Sequence, residues 1–366
     1  MKIECIYEKL NYALSVTSRS AGKHATLPVL NCIVISAKDN EVCIKATNLE
    51  IGVEISFNSK VDVPGTVAVP GGVFLQLVNS LDPKEIVKIE LIGTNLKVSS
   101  GKTHSLVKTL PAEDFPNIPR VTDATECTVS GKDIALGIST VSFSASVSNV
   151  KPELSSVYIY PDDGNLVFAA TDSFRLAEKK LKADYSESFS AVIVPIKNAQ
   201  EIARVFSITS DDVVVKLGKN QISLESKGVY LVSRVIDGVY PDYRQVIPKT
   251  ATTECVVSKD ELVHSLKVTT IFSDKFNQVN VSVNSKDSLL SFKTKNNDVG
   301  ETERSIEAYV NGDDVSVNFN QKYITDSMSV LEGDKVKFSF NGPSRPLVIT
   351  SHTDPNFTYL VMPMNR

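Results

Sequence analysis

The feature that most constrains this chain is an internal repeat of about 125 residues. The dipeptide Glu-Cys opens three similar segments, Glu4-Cys5-Ile6, Glu126-Cys127-Thr128-Val129 and Glu254-Cys255-Val256-Val257, spaced by 122 and 128 residues. Further along each unit a strand pattern runs into a helix pattern at Val69-Pro70-Gly71, Val194-Pro195-Ile196 and Phe319-Asn320-Gln321, each 125 residues after the last. A third marker, Phe115-Pro116-Asn117 and Tyr240-Pro241-Asp242, keeps the same 125-residue spacing. One such match arises by chance; three in one order at nearly one spacing mark duplication. The period is too long for a solenoid turn and right for a domain. The 366 residues therefore divide into three tandem domains of one fold, at 1–121, 125–247 and 253–366.

Each unit repeats the same elements. The Glu-Cys strand leads into a short amphipathic helix with apolar residues at helical spacing: Leu10, Ala13 and Leu14; Ile134, Ile138 and Val141; Leu262, Val263 and Leu266. Ser258-Lys259-Asp260-Glu261 has the form of a capping box, which predicts a helix start there. A second helix follows the Val-Pro marker, with Val73, Phe74, Leu77, Val78 and Leu81, then Ala199, Ile202, Ala203 and Val205, then Tyr323, Ile324, Met328 and Leu331. Elsewhere strand-like runs stop at polar turns, as in Ile86 to Ile92, Val213 to Leu217 and Lys335 to Phe340. The fold class is α+β: three tandem sheet-rich domains with two short helices each.

Catalytic signatures are missing. The chain has no phosphate-binding glycine loop, dinucleotide fingerprint, zinc-protease motif or nucleophile elbow, and its four histidines are scattered. Asp162-Asp163 and Asp313-Asp314 sit beside Gly164 and Gly312, so they read as hairpin turns rather than metal carboxylates. The five cysteines, at 5, 32, 43, 127 and 255, form no metal-ligand spacing and read as small buried apolar residues of a reducing compartment. No metal, cofactor or catalytic residue is expected. Glu4, Glu8 and Lys9 interrupt any leader-like apolar run, and the chain reads as soluble and cytoplasmic. With 39 Lys plus Arg against 43 Asp plus Glu, it is not a protein that grips nucleic acid by bulk charge.

Several strings then resemble one family. They are Thr26-Leu27-Pro28-Val29-Leu30, Ala46-Thr47-Asn48-Leu49-Glu50, Leu110-Pro111-Ala112-Glu113-Asp114-Phe115-Pro116, Ala170-Thr171-Asp172-Ser173-Phe174-Arg175-Leu176, Asp237-Gly238-Val239-Tyr240-Pro241-Asp242-Tyr243-Arg244 and Tyr359-Leu360-Val361-Met362-Pro363-Met364. In this order, across the whole chain, they resemble the bacterial DNA polymerase III β subunit family, the replicative sliding clamps. The resemblance implies a non-catalytic processivity factor: a head-to-tail homodimer whose two protomers close a six-domain ring around duplex DNA and tether the polymerase. With two helices per domain packed at about 9 Å, six domains line a hole near 35 Å across, whereas three close on roughly 17 Å, too tight for a duplex. A ring holds DNA by topology, so the net charge of −4 is no obstacle. Tight phosphate pairing would in fact hinder sliding. The helical segments carry a small basic surplus. The candidates for passing phosphate contacts are Lys23, His24, Lys151, Lys197 and Arg204, each of which reads equally as an ordinary solvated charge.

The resemblance also implies a peptide-binding cleft that receives short motifs from the polymerase III α subunit, the clamp loader complex, other polymerases and repair proteins. Its matching residues are Leu154, Thr171, Ser173, Phe174, Arg175, Leu176, Pro241, Val246, Leu360, Val361, Met362, Pro363 and Met364. Methionine suits a socket that accepts different partners; without the resemblance, Val361 to Met364 reads as core. Phe174 stands where the family often has His or Tyr, and Gln245 where Arg is common, so peptide preference is expected to differ. For the protomer contact the matching segments are the edge around Ser105 to Lys108 and Thr270 to Phe276, with Val107, Ile271, Phe272 and Phe276 as the apolar contacts. The competing reading is a peptide-binding scaffold of three domains that encircles nothing.

Overall fold

The computed structural model describes all residues except 23–26, 123, 186–188, 209–210 and 365–366. The chain writes the same eleven-element sentence three times: strand, helix, five strands, helix, three strands. In the first repeat these are β1 (Lys2–Ile6), α1 (Tyr7–Ser20), β2 (Cys32–Lys38), β3 (Glu41–Thr47), β4 (Ile51–Asn58), β5 (Lys60–Val63), β6 (Gly65–Pro70), α2 (Gly71–Asn79), β7 (Ile86–Ile92), β8 (Asn95–Ser100) and β9 (Thr103–Lys108). The second has β10 (Thr125–Ser130), α3 (Gly131–Ser142), β11 (Ser156–Asp162), β12 (Asn165–Thr171), β13 (Arg175–Lys182), β14 (Asp184–Tyr185), β15 (Val192–Pro195), α4 (Ile196–Phe206), β16 (Asp212–Leu217), β17 (Gln221–Ser226) and β18 (Val229–Arg234). The third has β19 (Thr253–Ser258), α5 (Lys259–Thr270), β20 (Gln278–Asn284), β21 (Leu289–Asn296), β22 (Gly300–Glu307), β23 (Tyr309–Gly312), β24 (Val315–Asn320), α6 (Gln321–Ser327), β25 (Lys335–Phe340), β26 (Leu347–Ser351) and β27 (Phe357–Val361).

The Glu-Cys marker is explained by strand alternation. Cys5, Cys127 and Cys255 point into the core. Glu4, Glu126 and Glu254 point outward, and each carboxylate meets a lysine of the neighbouring strand, Lys88 at 3.6 Å, Lys216 at 3.3 Å and Lys337 at 3.0 Å. The expected helix faces are buried, except that Val73 is exposed and Leu77, Val263 and Tyr323 are half-buried. The capping box at Ser258 is not formed: α5 starts there, but the Ser258 side chain caps nothing. Instead the first helical N–H, that of Lys259, donates to the Asp334 carbonyl at 2.8 Å, as Gly131 donates to Asp211 at 3.1 Å in α3. A backbone loop thus satisfies the orphan donor. The Asp163-Gly164 pair forms the expected two-residue hairpin turn between β11 and β12, both residues with positive φ.

Packing gathers the chain into two compact units, one of Met1–Ala135, Ala183–Ser190 and Glu201–Val235, the other of Leu136–Lys182, Ala191–Gln200 and Ile236–Arg366. The first holds a five-stranded sheet, β5-β1-β7-β8-β9, and a nine-stranded sheet, β14-β10-β16-β17-β18-β4-β3-β2-β6. The second holds a nine-stranded sheet, β15-β11-β12-β13-β27-β26-β25-β19-β23, and a four-stranded sheet, β22-β21-β20-β24. Each nine-stranded sheet joins two repeats through one kind of junction. The last strand of the later repeat pairs with the fourth strand of the earlier: β18 on β4, with Ser233 opposite Ile51 and Val229 opposite Ile55, and β27 on β13, with Val361 opposite Arg175 and Phe357 opposite Lys179. Two strands of these types are left at sheet edges, β9 and β22. After its last strand each repeat is pinned alike, Leu110 N–H to the Ala68 carbonyl, Ile236 to Ile193 and Met364 to Asn318, at 2.8–2.9 Å.

Candidate functional site

In the second unit the β13–β27 junction carries a small cavity of about 230 Å³. Its first wall is the turn between β12 and β13. Thr171 Oγ1 donates to the Arg175 carbonyl at 2.6 Å, and Asp172 Oδ1 accepts the N–H groups of Phe174 at 2.9 Å and Arg175 at 3.0 Å. This Asx turn holds Ser173 at φ 78°. The same turn occurs in the first repeat, where Asn48 Oδ1 accepts from Glu50 and Ile51 and Leu49 has φ 75°. The Arg175 guanidinium donates to Asp172 at 3.0 Å and Asp326 at 2.7 Å and lies 4.6 Å from the Tyr323 ring, so it braces the turn from behind.

The floor comes from β13 and β27, whose Leu176 and Leu360 face each other across the junction and join the buried cluster of Tyr160, Tyr240 and Tyr243. The second wall is the linker after the second repeat. Tyr243 donates its hydroxyl to the buried Glu178 carboxylate at 2.5 Å and shares a 2.7 Å hydrogen bond with the Tyr160 hydroxyl. Burial and the Glu178 carboxylate hold its phenol far above the ordinary tyrosine range. Tyr243 therefore presents a neutral, fixed surface to the cavity.

Nine of the expected residues line the cavity: Leu154, Thr171, Ser173, Arg175, Leu176, Pro241, Val246, Leu360 and Met362. Four do not. Phe174 is 62% exposed outside the lining, Val361 is wholly buried, and Pro363 and Met364 are half-buried where the chain is pinned to Asn318. Met362 is held in place by its N–H, which donates to the Phe174 carbonyl at 2.8 Å. Asp242 and Tyr243 line the cavity and were not expected; the signal was the second aromatic of Tyr240-Pro241-Asp242-Tyr243. The volume is below the roughly 300–1,000 Å³ of small-molecule pockets. With apolar walls and few polar groups, it suits side chains of a peptide rather than a cofactor. Two larger hollows of about 590 Å³ lie against the Glu-Cys strands of the first and third repeats, but charged and amide side chains dominate their linings.

Lys23 and His24 fall outside the described residues. Lys151, in the turn before Leu154, and Lys197, in the first turn of α4, are exposed. Arg204 is different. Its guanidinium donates to the Ser15 carbonyl at 3.2 Å, the Val16 carbonyl at 2.7 Å and Glu201, so its donors serve the fold and it is not a free cation for phosphate.

The expected protomer-contact residues also separate. On β9 Val107 is buried and faces its own core, whereas Leu106 beside it is 67% exposed. Alternation along the strand was the signal that distinguishes them. Ile271 and Phe276 are exposed, and Phe272 packs on Gly300 at the start of β22. Among the described residues, no cluster of three or more His, Cys, Asp or Glu side chains could hold a metal ion, and no helix is long and apolar enough to cross a membrane.

Comparison with known proteins places these features in a family. Residues 1–119 match the model described as the DNA polymerase III beta subunit N-terminal domain, 128–242 the central domain and 244–365 the C-terminal domain. The curated beta sliding clamp of Staphylococcus epidermidis is 25% identical over 360 residues, covering 96% of both chains. The crystal structure of the Thermotoga maritima DNA polymerase III beta subunit is 28% identical with a TM-score of 0.94, covering 100% of this chain and 99% of that one. The Pseudomonas aeruginosa subunit, 24% identical over the full length of both, shares the fold with a TM-score of 0.93.

Proposed function

Since the chain belongs to the DNA polymerase III β subunit family, and so acts as a DNA sliding clamp and processivity subunit rather than an enzyme, we propose how its own residues carry that role. Two copies meet head to tail and close a six-domain ring on duplex DNA in the cytoplasm, with domains at 1–121, 125–247 and 253–366. The observation that carries this reading is the repeated junction. Two junctions consume two last strands and two fourth strands, and the strands left at sheet edges, β9 and β22, are one of each type. A second copy satisfies both edges at once and closes without a free end. Exposed Leu106 on one side and Ile271 and Phe276 on the other supply apolar area beside the strands. Light scattering on the full chain should give a dimer, and a stable monomer at micromolar concentration contradicts the ring.

The ring makes affinity for DNA unnecessary, and Lys23, His24, Lys151 and Lys197 serve as passing phosphate contacts. Charge reversal at Lys23 and Lys197 together should slow loading on primed DNA. The cleft over Leu176 and Leu360 takes a short apolar motif from the polymerase, the clamp loader and repair proteins. Truncating Leu154 and Met362 to alanine should weaken a polymerase tail peptide by at least roughly tenfold, in the range of interface anchors. Unchanged affinity would move the peptide site elsewhere.

A further inference from the structure

The two internal junctions carry an acidic residue at one fixed place. On β4, Glu54 stands opposite Tyr230 of β18; on β13, Glu178 stands opposite Thr358 of β27. Both are engaged: Glu54 by Arg120, whose guanidinium lies 3.8 Å over the Tyr230 ring, and Glu178 by the Tyr243 hydroxyl. The ladders before these strands give the equivalence, with Thr47 opposite Gly52, Thr171 opposite Leu176 and, in the third repeat, whose hairpin is one pair longer, Lys295 opposite Glu301, the alignment that leaves Arg304 on the helix face where it reaches Ser265. Two residues on, Glu54, Glu178 and Glu303 hold the same position. On the other strand type, Ser99 opposite His104 corresponds to Glu225 opposite Tyr230, so His104 holds the place of Tyr230. Glu303 is exposed on the edge of its sheet, 3.3 Å from Lys293.

We propose that β22 of one copy pairs with β9 of a second copy in the register of the internal junctions, setting Glu303 opposite His104, Thr302 opposite Ser105 and Glu301 opposite Leu106, so that protonation of His104 tightens the ring. The inference rests on the dimer reading above. The faces agree in this register: exposed Glu301 and Glu303 meet exposed Leu106 and His104, while Val107, buried on the other face, meets Gly300. A slip of one residue would turn every such pair to opposite faces. The charges agree as well, with Lys97, Lys102 and Lys108 around β9 and Glu301, Glu303 and Glu307 along β22. Arg304 is turned away and donates to Ser265 at 3.0 Å.

The groups that face His104 are Ser99, whose hydroxyl is 3.1 Å from Nδ1, Lys97 and Lys102 of its own copy, and Glu301, Glu303 and the more distant Lys293 of the second copy. The His104 Nδ1 is occupied by Ser99, which leaves Nε2 to reach the carboxylate. Histidine changes charge around pH 6.5 and glutamate well below it. The ring binds that proton more strongly than the open copy, so association is tightest below the histidine range and weakens as pH rises through it.

Two experiments on the full chain separate this inference from its premise. In the Ser105→Cys, Thr302→Cys variant, oxidation should give a covalent dimer, because directly opposed antiparallel residues lie within disulfide range. Ser105→Cys with Glu303→Cys, on opposite faces, should not cross-link. By sedimentation equilibrium, the dimer should tighten from pH 8 to pH 5.5 by roughly 2- to 5-fold per contact, and by roughly 4- to 25-fold for a ring with two. His104→Ala should flatten that dependence and His104→Lys should hold the dimer tight throughout. A wild-type chain that stays monomeric at every pH overturns the dimer reading. A dimer that cross-links only through the shifted pair, or whose pH dependence survives His104→Ala, overturns the register while leaving the ring intact.

Discussion

Lys179 Nζ lies 2.5 Å from Asp354 Oδ2, with both side chains almost wholly buried. The pair ties the second repeat to the third beside the strand junction, where Lys179 stands opposite Phe357. Removing one partner leaves the other charge buried without compensation. Asp354→Asn should therefore lower unfolding stability by about 3–5 kcal/mol in urea titration. A loss below about 1 kcal/mol would show that water reaches the pair.

Gly137 faces the Phe168 ring so closely that an added Cβ would sit 2.5 Å from two ring carbons. Gly→Ala in a helix normally stabilises by up to about 1 kcal/mol. At position 137 the sign should invert, to a loss of about 1–3 kcal/mol from overpacking. Gly72→Ala in α2, where the new methyl meets nothing within 4 Å, is the matched control and should be neutral or mildly stabilising. Calorimetry on the two variants reads the difference directly.

Tyr243→Phe should destabilise by about 1–3 kcal/mol, because Glu178 would lose the hydroxyl that satisfies it in a buried setting. Tyr160→Phe should cost less, since Tyr243 can still donate to Glu178. Equal losses in urea titration would indicate that the three groups act as one inseparable unit.

Burial pushes the thiols of Cys5 and Cys127 up to about 11 and that of Cys255 up to about 12. The unfolded chain ionises at the ordinary thiol value, near pH 9, where the folded chain keeps its protons. The contribution to stability is thus complete below about pH 9 and is lost as pH rises toward 11 to 12. Urea midpoints between pH 8 and pH 11 should fall, and a Cys255→Ala variant should fall less steeply.

The repeat and the helix positions were legible in the sequence because they depend on local pattern, whereas the cleft residues came from the family resemblance, since the Leu176–Leu360 pairing beneath them joins strands far apart in the chain. The Glu-Cys alternation and the strand-to-helix steps are written within a few residues. What depends on distant pairing was not. Nothing near Arg204 says that it will cap carbonyls of Ser15 and Val16, nearly two hundred residues away. Ser258 has the right spacing for a capping box, yet the loop carbonyl of Asp334 takes the helix N–H instead. Val107 is a different case: local alternation along β9 separates it from exposed Leu106, and the edge position of that strand makes the difference decisive. The equivalence of Glu54, Glu178 and Glu303 emerges only once strand partners are known.

If topology rather than affinity holds this chain on DNA, a cut in the DNA should release it. The direct measurement loads the full-length protein onto a nicked circular duplex with a clamp loader and ATP, isolates the complex, and cuts the circle with a single-site nuclease. A closed ring should stay on the circle, insensitive to moderate salt, and be lost rapidly once the ends are free. Equal retention on circular and linear DNA would mean that affinity holds it, and would contradict the ring.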